Sequence, residues 1–161
     1  MTITYLALGS NLNNPLNQIK TALTCLDAIP NTKRIKTSKI YLSPPYGLQN
    51  QPDYLNIVVS LDTKLSVDNL FKFTQKIELQ QGRVREIEHW GPRTLDIDII
   101  LFGNLIIKTN SLIIPHYDLT NRVFMLLPLI QIAPNIILPN GKSVKTILTK
   151  LDTSNIKIWQ P

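Results

Sequence analysis

Thr94-Leu95-Asp96-Ile97-Asp98-Ile99-Ile100-Leu101-Phe102 is the stretch from which the fold is read. Apolar and acidic residues alternate through it with a period of two, as in an extended strand whose successive side chains face opposite ways. Leu95, Ile97, Ile99 and Leu101 are expected to point together into the core. Asp96 and Asp98 then share the other face, roughly 7 Å apart at twice the strand rise. Aspartate is disfavoured in strands, and two on one face repel. A shared cation removes the repulsion. Carboxylate oxygens suit magnesium, which keeps some waters and completes its shell with substrate phosphates. Two carboxylates at this spacing can hold two ions across one triphosphate. The plain alternative is the polar outer face of a half-exposed strand.

The preceding segment, Gly82 to Arg93, is a polar, basic loop containing Arg83, Arg85, Trp90 and Arg93. The chain has 12 Lys but only 5 Arg, and three of those Arg fall within the eleven residues from Arg83 to Arg93. Arginine grips phosphate with a planar fork that lysine lacks. Phosphoryl transfer asks a protein mainly for positioning and positive charge. A basic loop running into a carboxylate pair meets that need, and its length and two glycines read as a lid. Trp90 either stacks on a ring of the ligand or anchors the loop.

Further back, Ser66 caps a helix in which Leu70, Phe73 and Ile77 share a face, with Gly82 as its stop. Gln75 and Glu78 stand at i and i+3 on that helix, hence on one face, one turn before the basic loop. Tyr54 to Asp62 reads as a strand. Tyr54 and Asn56 share one of its faces, offering a ring that can stack and an amide that both donates and accepts. Thr2 to Leu8 is a strand followed by a turn at Gly9-Ser10-Asn11. Asn14 and Pro15 open a helix that stops by Pro30. Lys33 to Ser43 reads as one strand, and the three-proline segment from Pro44 to Pro52 as a loop.

Beyond Phe102, Gly103-Asn104 is expected to turn a hairpin into Leu105 to Ile107. A helix near Asn121 to Ile132 is expected to be interrupted or ended near Pro128. Ser143 opens a last short helix, and Asn155 to Trp159 is expected as a closing strand. Paired strands with covering helices point to an α+β fold, a mainly antiparallel sheet in a ferredoxin-like arrangement.

The 161 residues make one domain, and 43% hydrophobic with 17% charged residues excludes a disordered chain. The net charge of +6 favours anionic partners without naming them. Cys25 is the lone cysteine, so no internal disulfide forms. The apolar run Ile3 to Leu8 is too short for a signal segment, and no run has transmembrane length. These features place the chain in the cytoplasm. No Walker-type phosphate loop, zinc pattern or protein-kinase motif set is present.

Seven motifs occur in order: Gly9-Ser10-Asn11-Leu12, Pro44-Pro45-x-Gly47, Gln51-Pro52-Asp53-Tyr54-Leu55-Asn56, Glu78-Leu79-Gln80-Gln81-Gly82-Arg83, Trp90-Gly91-Pro92-Arg93-Thr94-Leu95-Asp96-Ile97-Asp98, Ile114-Pro115-His116, and Leu127-Pro128-Leu129 running to Ala133-Pro134. Together they resemble the hydroxymethyl-dihydropterin pyrophosphokinases of folate biosynthesis, over nearly the whole chain. The resemblance implies a ferredoxin-like three-layer sandwich, a single domain over 1–161, and transfer of pyrophosphate from ATP to the pterin hydroxymethyl group with release of AMP. It also implies that Asp96 and Asp98 bind two magnesium ions and that Arg83 and Arg93 assist transfer. Arg85 and Trp90 belong to the moving loop. Gln75, Glu78, Ile99, His116, Tyr117 and Arg122 line the nucleotide site. Tyr54 and Phe124 sandwich the pterin, while Asn56, Ser43, Pro45 and Tyr46 surround its edge. A monomer working on small molecules, without nucleic acid or membrane, is expected. Two other readings were open on the residues alone: a nucleotidyltransferase, which combines Gly-Ser with Asp-x-Asp, and an RNA-binding ferredoxin-like domain, prompted by the basic charge.

Overall fold

The computed structural model describes residues 1–46, 50–82 and 94–161. The elements follow in chain order as β1 (Thr2–Ser10), α1 (Pro15–Asp27), β2 (Thr32–Thr37), β3 (Tyr41–Ser43), β4 (Tyr54–Thr63), α2 (Val67–Gln80), β5 (Asp96–Phe102), β6 (Ile107–Lys108), β7 (Ile113–Ile114), a 3-10 turn (Leu119–Asn121), α3 (Val123–Ile132), α4 (Val144–Leu148) and β8 (Lys157–Ile158). The main sheet runs β5-β1-β4-β3-β8, with β2 also paired to β4. All its pairings are antiparallel.

Alternation along the strands divides the core in two. Leu6 and Leu8 of β1, Ile57, Val59 and Leu61 of β4, and Ile97 and Ile99 of β5 pack with Ile19, Ala22 and Leu26 of α1 and Val67, Leu70 and Ile77 of α2. On the other face Ala7, Val58, Ile100 and Leu101 pack with Met125, Leu126, Leu129 and Ile132 of α3 and Val144 of α4. Each of the Val, Leu, Ile and Met side chains contributes about 1.5–3 kcal/mol on burial, so helices are held against both faces of the sheet.

The expected common face of Leu95, Ile97, Ile99 and Leu101 is corrected at its last member. Leu6 lies opposite Ile99 and Tyr5 opposite Leu101, which leaves Ile100 as an extra residue in β5. This bulge breaks the alternation. Ile100 and Leu101 both join the α3 side, and Phe102 returns to the α1–α2 side.

The segment Lys33 to Ser43 forms two strands rather than one. Ser38, between them, is buried and takes over part of the ladder: its N–H donates to the Val58 carbonyl at 2.9 Å, and its hydroxyl accepts the Val58 N–H at 3.0 Å. Asn14 does precede α1 but with φ of 63°, and its side chain makes no capping bond. Ser66 caps α2 as expected, accepting Asn69 N–H at 3.2 Å. The turn after Phe102 forms, with Leu105 N–H on the Phe102 carbonyl at 3.0 Å. Its continuation pairs with β7 instead of β5, and the rim of β5 away from β1 meets Glu78 at the Ile97 N–H and His116 at the Ile100 carbonyl. Pro128 lies inside α3 without ending it. The helix tolerates one missing hydrogen bond because it buries Met125, Leu126, Leu129 and Ile132 beside Pro128 itself. No helix among the described residues is long and apolar enough to cross a membrane.

Candidate active site

The strand register brings the sequence-predicted residues to one face. Asp96 lies opposite Gly9 and Asp98 opposite Ala7 on β1. Gly9 in turn lies opposite Asn56, and Asn56 opposite Tyr41. Residues directly opposite in antiparallel strands share a face. Asp96, Asp98, Asn56, Tyr54 and Ser43 therefore all project from the side of the sheet that α3 covers at its other end. Both aspartates are half-buried.

Gly9 separates the carboxylates from the amide. A β-carbon there would lie 3.1 Å from Asn56 Oδ1 and 3.6 Å from Tyr54 Cδ1. The missing side chain thus keeps open the floor between Asp96 and Asn56. Asn56 is 5% exposed, and its Nδ2 donates to Ser43 Oγ at 2.6 Å, which fixes the amide. Ser10 Oγ donates to the Thr94 carbonyl at 2.5 Å and ties the end of β1 to the start of β5. Asn11 Nδ2 donates to Gln51 Oε1 and to the Pro52 carbonyl, both at 2.9 Å, and fastens the segment before Tyr54. Sequence reasoning took Gly9-Ser10-Asn11 only as a turn and a weak motif. Its positioning role comes from long-range contacts that local sequence does not display.

The wall beyond β5 is built from residues 116–124. His116 N–H donates to the Ile100 carbonyl at 3.1 Å. Its Nδ1 accepts the Asp118 N–H at 3.1 Å, which places the neutral ring's proton on Nε2. The ring stacks on Tyr117, with centroids 4.6 Å apart. Burial, and then the charge of Arg122, push His116 down to about 4 against the opposing pull of Asp118 and Asp96. His116 is therefore a neutral donor at physiological pH.

Arg122 is 7% exposed. Its Nε pairs with Asp118 Oδ2 at 2.9 Å, and its Nη2 donates to Tyr117 Oη at 3.1 Å. The guanidinium lies near the rings of Tyr46, Tyr117 and Phe124. Tyr46 and Phe124 pack at 5.7 Å in a tilted arrangement. Burial raises the Asp118 carboxyl, but hydrogen bonds from Asn121, Arg122 and Tyr46 outweigh it and hold the group below the usual carboxylate range. Asp118 was not singled out from the sequence. Arg34, the one arginine away from this region in sequence, forms a two-pronged pair with Asp27 at 2.8 Å.

Two predicted nucleotide residues are placed with the core. The Ile99 side chain packs on the α1–α2 side, so only its main chain is left for a ligand on the aspartate face. Glu78 is 2% exposed and accepts the Ile97 N–H. Gln75 is half-buried on the same helix. Arg83, Arg85, Trp90 and Arg93, and with them the expected lid, lie outside the described residues.

Asp96 and Asp98 supply a hard oxygen donor pair on an accessible face, which fits a magnesium ion that takes its other ligands from water and phosphate. Among the described residues no group of three or more His, Cys, Asp and Glu converges as a self-contained metal cage.

The family described as 7,8-dihydro-6-hydroxymethylpterin-pyrophosphokinase matches residues 5–134. A 2-amino-4-hydroxy-6-hydroxymethyldihydropteridine pyrophosphokinase of Haemophilus influenzae is 45% identical over 98% of this chain and 99% of its own. The protein of the same name from Pseudomonas aeruginosa is 44% identical over 89% of this chain and 88% of its own. Among solved structures, a Plasmodium falciparum HPPK-DHPS superposes with a TM-score of 0.70 at 16% identity, over 93% of this chain and 43% of that one. This likeness concerns the fold, and the chain spans less than half of that fusion.

Proposed function

This chain belongs to the hydroxymethyldihydropterin pyrophosphokinase family, and from that premise we propose how its residues divide the work. The activity is pyrophosphoryl transfer to hydroxymethyldihydropterin in folate biosynthesis. In our reading ATP is the donor. The substrate's primary hydroxyl forms a bond to the β-phosphorus, the bond from that phosphorus to the α-phosphate oxygen breaks, and AMP leaves. The hydroxyl proton passes to solvent or to a phosphate oxygen. The ferredoxin-like three-layer reading is supported by the strand order β5-β1-β4-β2 with helices against both faces.

The observation that carries the assignment is the row Asp96–Gly9–Asn56 across one sheet face. It puts a carboxylate and an amide on either side of a residue with no side chain. Asn56, fixed by Ser43, reads the amide-like edge of the pterin. Tyr54 and Phe124 bracket its ring, with Pro45 and Tyr46 beside it. Asp96 and Asp98 hold two magnesium ions, which, when bound, offset charge on the triphosphate. His116 gives an Nε2–H bond to a phosphate oxygen, while Tyr117, Arg122, Gln75, Glu78 and the main chain of Ile99 border the nucleotide. Arg83 and Arg93 supply charge where it develops on the migrating group, and Arg85 and Trp90 close over the donor. We place the enzyme in the cytoplasm as a monomer.

Incubation with magnesium-ATP and 6-hydroxymethyl-7,8-dihydropterin tests this. AMP and the pterin diphosphate are the expected products. Release of pyrophosphate would indicate nucleotidyl transfer, release of ADP a simple kinase, and either would overturn the assignment.

A further inference from the structure

Tyr46 and Asp118 stand 72 residues apart in the chain and meet through a hydrogen bond. The Tyr46 hydroxyl donates to Asp118 Oδ2 at 3.0 Å. The same oxygen accepts Arg122 Nε at 2.9 Å, and Oδ1 accepts Asn121 Nδ2 at 2.9 Å. The Asp118 N–H meanwhile holds His116 Nδ1. One carboxylate thus joins the segment leading out of β3 to the segment that carries His116, Tyr117 and Arg122.

Arg122 strengthens the connection. Its guanidinium carbon lies 5.1 Å from the Tyr46 ring centre, 5.4 Å from that of Tyr117 and 5.7 Å from that of Phe124. The residue is 7% exposed, so its charge and its cation–π contacts act with little solvent screening.

We propose that Tyr46 and Asp118 are positioning residues that couple occupancy of the nucleotide site to occupancy of the pterin site through Arg122. The proposal rests on the assignment of the two sites given above. An anionic phosphate at Arg122 shares its guanidinium and reduces its hold on Asp118 Oδ2. That oxygen then accepts the Tyr46 hydroxyl more strongly and fixes Tyr46, with the Pro45 and Ser43 that precede it, against the pterin edge. Hydrogen bonds that share one acceptor respond to each other in this way. By linkage the effect is reciprocal, and pterin tightens nucleotide by the same factor.

Tyr46→Phe removes the hydroxyl and keeps the ring, and Asp118→Asn keeps the shape while removing the charge. Calorimetry gives the dissociation constant of 6-hydroxymethylpterin with and without saturating magnesium α,β-methylene-ATP, which cannot release AMP. The readout is the ratio of the two constants, whatever each variant does to either one. In the unaltered protein the ratio should exceed about fivefold. In either variant it should shrink by about three- to tenfold, the worth of one hydrogen bond to a charged group. An undiminished ratio in Tyr46→Phe, or a ratio near one in the unaltered protein, overturns the coupling. Failure of the unaltered protein to bind either ligand overturns the site assignment itself.

Discussion

The Ile97 N–H donates to Glu78 Oε2 at 2.8 Å, so a carboxylate from α2 grips the rim of β5 at the residue between Asp96 and Asp98. The rim away from β1 would otherwise present an unpaired ladder group. With Glu78 2% exposed, the contact fixes the strand from which both aspartates project.

Removing that acceptor should therefore loosen the strand. Glu78→Ala is expected to cost about 1–3 kcal/mol, because a buried N–H loses its partner. Glu78→Gln keeps an oxygen in reach and should recover most of the loss. Urea unfolding of the two variants measures this, and an alanine variant as stable as the original chain would show that the rim is held by something else.

Asp98 separates function from folding. Its side chain is half-buried on the aspartate face, opposite Ala7 and away from the α1–α2 core that Ile97 and Ile99 join. Asp98→Ala should lower turnover more than about 100-fold through loss of the divalent ion. Stability should stay within about 0.5 kcal/mol, as for substitutions away from packed groups. Retained activity at ordinary magnesium concentrations would remove the metal assignment.

Gly9→Ala tests the open floor. The added carbon would stand 3.1 Å from Asn56 Oδ1, displacing the amide that we assign to the pterin edge. One extra carbon in a fitted pocket is worth about tenfold or more in affinity. We expect KM for the pterin to rise by that factor while KM for ATP changes little. An unchanged pterin KM would mean that the substrate does not lie across Gly9.

His116 makes folding depend on pH. Its value is about 4 when folded and near the ordinary 6.5 when unfolded. The unfolded chain then binds more protons between those values, so stability is fully present above pH 6.5 and is lost as pH falls towards 4. The loss approaches about 3 kcal/mol at the lower end. Urea unfolding of the ligand-free protein at pH 7, 6 and 5 should follow this slope, and His116→Gln should flatten it. An equal slope in the variant would assign the dependence to other groups.

The alternation of Leu95 to Ile99 made the strand and its acidic face legible, because period two is a local property. Ser66, Tyr54 and Asn56 were legible for the same reason. Leu101 was misread because a bulge depends on the partner strand: Tyr5 and Leu6 decide where Ile100 is set aside. The break at Ser38 and the continuity of α3 through Pro128 also follow from tertiary contacts that outweigh local preference. Within the site, the roles of Arg122 and His116 at the nucleotide came from the resemblance. Asp118 escaped notice because an acid two residues beyond His116 carries no sign of the tyrosine 72 residues away that it binds.

The spare residue in β5 also insulates one end of the strand from the other. Asp96 and Asp98 stand opposite Gly9 and Ala7, and Leu101 opposite Tyr5, with Ile100 set aside between the two registers. A lineage that lengthened or shortened the chain at this point would alter the padding beneath α3 and leave the end of the strand that bears Asp96 and Asp98 in its register.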